Sequence, residues 1–325
     1  MNRSKMLAKG ALVGMIVGAA SAVSLQAAHA DDDTLLGDPL AGSDTAIILG
    51  GTTEPTPSTA FAQAAEDLFL HPLGFDGGAT ASTVCDMIGT DPCAAPLQVL
   101  TTPELIQQGP SSLTAADDVV LAVQNEFSAN PGAFSAEDPL TIFGYSQSAT
   151  AESIAMSRLE ADGIPSADLH FVFIGDPSLA DTGIWPNLVP DLDSLLGSSL
   201  TNTLLTDLGF DGVLGNVTPD DLYPTTIYSL DGDGVAQFQP DFESGGLLGT
   251  IEGLFVQHVE YLGLTPEEVA NATTSTDDLI TNVDISDNIN NADAWLSAVL
   301  EHGAAGSGLL ESVFESLQLY LTNMF

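Results

Sequence analysis

The feature that most constrains the fold is a strand, a sharp turn and a helix that follow one another between residues 139 and 157. Residues 140–143 are uncharged and have high β-propensity, which favours a strand buried on both faces. Apolar residues between positions 151 and 159 then recur at helical spacing. A buried strand that leads directly into a helix is the building unit of parallel α/β folds, so this stretch predicts that class.

The turn between strand and helix has the sequence Gly144-Tyr145-Ser146-Gln147-Ser148. A serine on so sharp a turn projects its hydroxyl away from the sheet, towards the free N–H groups of the new helix. This geometry is a nucleophile elbow, although Ser148 replaces the last glycine of the usual G-x-S-x-G pattern. We predict that Ser146 is a nucleophile; the alternative is a polar turn that only caps a helix.

A Gly-rich stretch follows another predicted strand, over residues 45–49, and contains Gly50, Gly51 and Thr52. In α/β hydrolases a loop in this place, together with the residue after the nucleophile, supplies backbone N–H groups to the oxyanion. We therefore expect the N–H groups of Gln147 and of the Thr52 region to form an oxyanion hole. A plain Gly-Pro turn is the alternative.

Further strands and helices alternate along the chain, which predicts a central, mainly parallel sheet with helices on both faces. Strands are predicted over 96–100, 169–174 and 224–230, and a helix over 114–125. Residues 180–223 interrupt the alternation, because many leucines occur there among Gly, Ser, Thr and Asp. This apolar insertion is either a lid over an apolar pocket or a helical excursion that covers the core.

Both ends of the chain differ from this core. Residues 1–30 combine a basic start, an apolar run and small residues at a cleavage site, which predicts a secretory signal peptide and a secreted or cell-envelope-associated protein. The apolar run is too short, and too rich in Gly, Ala and Ser, to favour a permanent membrane span, and no stable span is expected once the signal peptide is removed. Residues 31–44 are predicted to be a flexible acidic leader, and residues 271–325 an exposed polar segment followed by a mostly helical extension. The α/β core is therefore expected over residues 45–270.

The charge of the chain excludes some partners. The formal net charge is −41, and after residue 30 a single basic residue, Arg158, stands against 45 acidic ones. Such a surface repels nucleic acid and anionic lipid headgroups, so nucleic acid is not expected as a partner. The oligomeric state does not follow from the sequence.

The two cysteines, Cys85 and Cys93, lie close together in the chain. In an exported protein such a pair predicts a local disulfide. No histidine lies between or beside them, so no metal site is predicted there, and no cofactor is expected.

A serine nucleophile requires a histidine base and an acid that orients it, in the order Ser, acid, His in α/β hydrolases. His71 precedes Ser146, and His170 begins a buried strand, which leaves His258 and His302. The acid is expected after the second strand beyond the nucleophile, where Asp231 and Asp233 lie in a D-G-D-G turn. This reasoning does not choose between Asp231 and Asp233 as the acid, or between His258 and His302 as the base. The D-G-D-G turn could also have a purely structural role.

The chain resembles the PE-PPE-domain serine hydrolases of mycobacteria and related actinobacteria, a cutinase-like branch of the α/β hydrolases. The resemblance rests on seven segments in family order: ILGGTTEPTP (48–57), LTTPEL (100–105), SLTAADDVV (112–120), TIFGYSQSA (141–149), FIGDP (173–177), YPTTIYSLDGDGVAQF (223–238) and QHVEYLGLTPEE (257–268). The family's pentapeptide allows serine at the last position. Its D-G-[IV]-A run favours Asp233 over Asp231, and its H-x-x-Y-x-x-L run selects His258.

The resemblance implies a secreted enzyme that hydrolyses acyl esters or lipids through Ser146, Asp233 and His258, with an acyl-enzyme and no cofactor or metal. Two alternatives stay open. The same acyl-enzyme could pass its acyl group to an envelope glycolipid, which would make the protein an acyltransferase. The fold could also serve a non-catalytic binding or structural role in the envelope.

Overall fold

A mostly parallel sheet of eight strands forms the centre of the protein. The computed structural model describes residues 37–76, 82–255 and 257–286. The spatial order is β2-β3-β1-β4-β5-β6-β8-β7, and among these described strands only β7 and β8 pair antiparallel. The strands are β1 (Ala46–Ile48), β2 (Val84–Asp86), β3 (Leu97–Val99), β4 (Leu140–Tyr145), β5 (Leu169–Ile174), β6 (Thr225–Leu230), β7 (Thr273–Asp277) and β8 (Ile280–Ile285).

Helices connect the parallel strands. They are α1 (Thr59–Ala65), α2 (Gln108–Ala129), α3 (Gln147–Ala161), α4 (Ile184–Leu196), α5 (Ser198–Asp207), α6 (Phe238–Phe255) and α7 (Pro266–Ala270). A π-helical turn, Glu66–Leu70, extends α1, and short 3-10 turns at Gln257–Val259 and Tyr261–Gly263 follow α6. None of the helices in the described part of the chain is both long and apolar enough to cross a membrane.

The sheet has an apolar core on each face. Successive residues of β4 show the alternation that a strand buried on both sides requires: Ile142 packs with α2 and α3, whereas Phe143 packs with Phe61 and Phe69. All six residues of β5 and of β6 are buried. The predicted α/β fold with a mainly parallel sheet and helices on both faces is confirmed.

The insertion over residues 180–223 forms α4 and α5. Its apolar residues make a third cluster in which Trp185, Leu188 and Leu205 pack with Phe238 of α6. The Trp185 Nε1–H donates a hydrogen bond of 3.0 Å to Thr150 Oγ1, which ties the insertion to the first turns of α3. The loop after α5 lies against the start of α2, where the Gly109 N–H donates to the Gly209 carbonyl at 2.9 Å.

The structure corrects three boundaries. The core does not end at residue 270, because β8 pairs along its whole length with β6 and inserts three buried side chains. The leader is not flexible throughout, because Leu40 and Ser43 are fully buried and Ser43 Oγ donates to the Pro139 carbonyl. Helix α2 begins at Gln108 rather than at Thr114. The predicted signal peptide, residues 31–36 and the predicted C-terminal helices lie outside the described residues.

Candidate active site

Ser146 lies between β4 and α3 in a strained backbone conformation, with φ +57° and ψ −112°. A positive φ is uncommon for a residue with a Cβ atom and costs on the order of 1–3 kcal/mol. The surrounding strands hold it there, because the Ser146 N–H donates to the Ile174 carbonyl of β5 at 3.1 Å. The arrangement is that of a nucleophile elbow.

Two neighbours explain the sequence of the turn. A Cβ atom at Gly144 would lie 2.6 Å from the Glu152 carboxyl on α3, so a larger residue there would displace this buried side chain. Ser148, which replaces the last glycine of the usual pattern, is buried and bonds the end of the strand. Its Oγ accepts the Tyr145 N–H at 2.8 Å and donates to the Tyr145 carbonyl at 3.1 Å. Serine at this position therefore adds two hydrogen bonds that stabilise the turn.

The structure brings Ser146, His258 and Asp233 into one hydrogen-bonded series. His258 Nε2 lies 2.8 Å from Ser146 Oγ, and His258 Nδ1 lies 2.8 Å and 2.9 Å from the two carboxylate oxygens of Asp233. The His258 side chain is 4% exposed and the Asp233 side chain is fully buried. These distances match those of a nucleophile, a base and an acid that orients the base.

Asp233 is fixed by the turn that follows β6. Its N–H donates to the Leu230 carbonyl at 3.0 Å, and its Oδ1 accepts the N–H groups of Val235 and Ala236 at 2.8 Å and 3.2 Å. Gly232 adopts φ +82°, which turns the chain inward between the two aspartates. Asp231 is exposed and forms no contact with His258. The structure thus joins Asp233, and not the alternative acid Asp231, to the histidine.

The other histidines lie elsewhere. His170 is buried in β5, where its Nε2 lies 3.0 Å from Thr226 Oγ1 and burial lowers its pKa to about 4. His71 forms ion pairs with Glu66 and Asp67, and hydrogen bonding to Glu66 raises its pKa. His302 lies outside the described residues.

Within the described residues, one group of three side chains has ligand atoms close enough for a metal ion: Glu66, Asp67 and His71, within 4.8 Å of one another. It lies on the π-helical turn and the residue that follows it, not at the Ser146 site, and Glu66 is already bonded to Ser82. Cys85 and Cys93 are joined by a disulfide with a Cα separation of 6.3 Å, which links β2 to the loop before β3.

The two predicted oxyanion donors lie on neighbouring segments. Gln147 is the first residue of α3, so its N–H has no acceptor within the helix. A Cβ atom at Gly51 would lie 2.9 Å from the Tyr145 ring, which shows how closely the loop of Thr52 approaches the elbow. Gln108 Nε2 donates to Thr52 Oγ1 at 2.9 Å, and Gln147 Nε2 donates to the Leu105 carbonyl at 3.0 Å. Helix α2 and the segment before it thus bond both the Thr52 loop and Gln147.

Three carboxyl groups are buried around the elbow: Glu104, Glu152 and Asp176. Burial raises the pKa of Glu104 to about 8 and that of Asp176 to about 6. Burial, with repulsion from the other two, raises the pKa of Glu152 well above its usual range. Neither carboxyl oxygen of Glu152 has a hydrogen-bond partner among the described residues. Each of these acids therefore keeps its proton to a higher pH than a surface carboxyl would.

We expect the melting temperature to fall as the pH rises from about 5 to about 8. Burial raises the pKa of Glu104 from its ordinary value of 4.5 to about 8 in the folded protein. As the pH rises, the unfolded chain therefore loses this proton first, and the free energy of unfolding declines between pH 4.5 and about pH 8. Since one pKa unit corresponds to about 1.4 kcal/mol, the decline is on the order of a few kcal/mol, or roughly 5–10 °C. Calorimetry across this pH range measures it.

The variant Glu104→Gln separates this effect from general charge repulsion. Its melting temperature should decline less steeply with pH than that of the unmodified protein. Glu160→Gln removes one charge from the exposed end of α3 and should leave the slope unchanged. Equal slopes for Glu104→Gln and the unmodified protein would contradict the role assigned to Glu104.

Three residues around the triad were not identified as functional from the sequence. Tyr261 Oη donates to Asp233 Oδ2 at 2.7 Å, and Tyr145 Oη donates to the His258 carbonyl at 2.5 Å. Gly175 has φ +59°, and a Cβ atom there would lie 3.0 Å from the His258 ring, so both the backbone conformation and the close approach favour glycine. All three residues lie in the segments that carry the family resemblance, which is the one signal the sequence offers for them.

Comparisons with known proteins agree with that resemblance. A family model described as the PE-PPE domain matches residues 93–284, more than half of the chain. The uncharacterized PPE family protein PPE28 of Mycobacterium tuberculosis H37Rv is 30% identical over 227 residues, which are 69% of this chain and 30% of that protein. Esterase PE16 of the same organism is 30% identical over 239 residues, which are 70% of this chain and 39% of that protein.

Among solved structures, the type II thioesterase BorB from the borrelidin biosynthetic cluster is 15% identical and has a TM-score of 0.32, with 83% of this chain and 90% of that chain covered. The chain spans about a third of the length of the curated relatives it matches. The family match covers β4 to β8 together with the elbow, the D-G-D-G turn and His258. The chain therefore belongs to the PE-PPE domain family, as its sequence motifs predict.

Proposed function

We propose that the protein is a secreted or cell-envelope-associated serine hydrolase that cleaves carboxylic esters of fatty acyl groups. The observation that carries the proposal is the series from Ser146 Oγ through His258 to Asp233, with both links near 2.8 Å. A serine held at positive φ at the start of a helix, with a buried histidine–carboxylate pair beside it, suits nucleophilic attack on an acyl carbon.

In the proposed reaction, His258 Nε2 takes the proton of Ser146 Oγ as the oxygen attacks the ester carbonyl. Asp233 holds the Nδ1–H tautomer, which leaves Nε2 free to accept that proton. The imidazolium then gives the proton to the departing alcohol, and an acyl-enzyme forms. Water, activated by the same imidazole, releases the acid and restores Ser146.

The tetrahedral intermediate carries its charge on the former carbonyl oxygen. The backbone N–H groups of Gln147 and Thr52 are the proposed donors to that oxygen, each worth about 3 kcal/mol in the transition state. The Gln147 N–H has no intrahelical acceptor, and the Thr52 loop packs against the elbow.

Apolar surface beside the site supports an acyl substrate. Leu105, whose carbonyl accepts the Gln147 side chain, is 53% exposed. The insertion borders the start of α2, which follows Leu105 closely in the chain, and its apolar cluster contains Trp185 and packs with Phe238 of α6. Such a surface buries hydrocarbon chains at a gain of about 25 cal/mol per Å². A similarity of 30% to a protein named an esterase favours the same class of substrate.

Two measurements on the protein test the proposal. The first is hydrolysis of a series of p-nitrophenyl esters from short to long acyl chains. The second is covalent labelling by a fluorophosphonate, with the labelled peptide identified by mass spectrometry. We expect turnover that depends on chain length, and a label on Ser146 rather than on any other serine.

The two readouts distinguish the alternatives. Labelling of Ser146 without turnover at any chain length would contradict simple hydrolysis and direct attention to acyl transfer onto a sugar hydroxyl. Absence of both labelling and turnover would contradict an enzyme and favour the binding role.

A further inference from the structure

Tyr261 links the candidate catalytic acid to the strand from which that acid projects. Its side chain is fully buried in the core formed on one face of the sheet. The phenol oxygen accepts the Leu230 N–H of β6 at 2.9 Å and lies 2.7 Å from Asp233 Oδ2. Since the Leu230 N–H is a donor, the single phenol proton is free to point at Asp233.

The phenol keeps that proton. Burial, together with the nearby Asp233 carboxylate, raises the pKa of Tyr261 well above its ordinary value. A neutral phenol beside a carboxylate acts as the donor, and such charge-assisted bonds are short and strong. The 2.7 Å distance is consistent with this assignment.

The donors to Asp233 divide between its two oxygens. Oδ1 accepts the N–H groups of Val235 and Ala236, and Oδ2 accepts Tyr261. His258 Nδ1 is almost equidistant from both oxygens. Without the phenol, Oδ2 would keep the imidazole as its single partner among the described residues, and nothing on that side would hold the plane of the carboxylate.

We propose that Tyr261 is a positioning residue that fixes the Asp233 carboxylate and limits how strongly it attracts the protonated imidazole of His258. This inference rests on the proposed function, since it assigns Tyr261 a part in the same reaction. A carboxylate that loses one donor concentrates its charge on the remaining partner. The imidazolium is then held more strongly, and the neutral base that accepts the Ser146 proton is less populated at low pH.

Other titratable groups also lie around Asp233 and His258. Tyr145 of β4 places its ring 5.6 Å from the imidazole and donates to the His258 backbone. Glu54, in the loop after β1, has a pKa raised to about 7 by burial. Asp241 on α6 has a pKa raised to about 6 by burial and then by Asp233 and Asp231. All three are retained when the Tyr261 hydroxyl is removed, so a comparison of variants isolates the phenol.

The chain offers a matched control in Tyr228. This tyrosine is buried in the same apolar core, and its hydroxyl donates to the Phe69 carbonyl at 3.1 Å without contacting the triad. Tyr228→Phe therefore loses a buried hydroxyl and one hydrogen bond, whereas Tyr261→Phe loses a buried hydroxyl and two hydrogen bonds, one of them to Asp233. A purely structural role for Tyr261 predicts that the two variants behave alike.

The experiment measures kcat and KM for a p-nitrophenyl ester across the pH range from about 5 to about 9, for the unmodified protein and both variants. We expect Tyr261→Phe to lower kcat roughly tenfold with little change in KM. The acidic limb of its profile should move to higher pH by on the order of half a unit or more. Tyr228→Phe should leave both the limb and kcat close to those of the unmodified protein.

A second readout does not require turnover. The far-downfield proton NMR signal of an imidazole Nδ1–H bonded to a carboxylate reports the His258–Asp233 contact directly. Tyr261→Phe should shift this signal and its pH dependence, and Tyr228→Phe should not. If the unmodified protein shows no turnover, the proposed function fails, but the NMR comparison still decides the role of Tyr261. Unchanged NMR behaviour in Tyr261→Phe, or equal changes in both variants, would overturn the inference.

Discussion

Ser146→Ala is expected to lower kcat for ester hydrolysis by roughly 10⁶-fold and to leave KM nearly unchanged. The substitution removes the one oxygen that lies 2.8 Å from His258 Nε2. Binding of the ester depends on the apolar surface around the site, which the change does not touch. The strained turn also loses little, because Ser146 Oγ makes no hydrogen bond to the backbone of the turn in the described structure. Ester hydrolysis under single-turnover and steady-state conditions measures the effect.

Two further variants make this result specific. Ser153→Ala removes a buried hydroxyl from the same helix, where it bonds the Ala149 carbonyl and Thr218. It should cost about 1 kcal/mol of stability and retain kcat. The double variant Ser146→Ala/His258→Ala should be no slower than Ser146→Ala alone, because residues that act as a unit are not additive. A tenfold further loss in the double variant would contradict a shared proton transfer.

The elbow and the strands around it could be predicted from the sequence because their signals are local. A run such as LHFVFI has no charge and high β-propensity, and it forms β5 over the predicted residues 169–174. The positions of Asp233 and His258 followed from chain order and from the family motifs, which encode contacts across the fold. The assignment of Asp233 rather than Asp231 as the acid depended on the family motif, because each aspartate of the D-G-D-G turn precedes a glycine and the local sequence does not distinguish them.

The β7–β8 hairpin could not be predicted in the same way. Residues 273–277 read TTSTD and are all exposed, so their sequence lacks the alternation that marks a half-buried strand. β8 buries three residues, Ile280, Val283 and Ile285, between polar ones. What makes it a strand is pairing with β6, a partner 55 positions earlier in the chain. Tertiary pairing here overrides weak local propensity.

The buried acids were missed for a related reason. A glutamate on a helix is normally exposed, and in a chain with 45 acidic residues nothing distinguishes Glu152 from the others. Its burial follows from the close approach of α3 to Gly144 of β4, which is a property of packing. The same holds for Tyr261, because the bond to Asp233 joins two turns 28 residues apart.

Asp233→Asn is expected to lower kcat by about 10⁴-fold while the protein keeps its fold. The asparagine oxygen can take the place of Oδ1, where the N–H groups of Val235 and Ala236 require an acceptor. The amide NH₂ group then lies at the position of Oδ2, next to His258 Nδ1. There it donates to Nδ1 and favours the tautomer whose proton is on Nε2. That tautomer has no free electron pair at Nε2 to accept the Ser146 proton, so catalysis fails although the geometry is retained.

Asp231→Asn is the matched control, because it makes the same chemical change two residues earlier in the same turn. Asp231 is exposed and does not contact the histidine, so kcat should change less than about threefold. The two variants therefore test the assignment of the acid independently of the charge lost. A large loss in Asp231→Asn with activity retained in Asp233→Asn would transfer the role to Asp231. The buried position of Asp233, with four donors converging on its two oxygens, is the physical reason to expect the opposite.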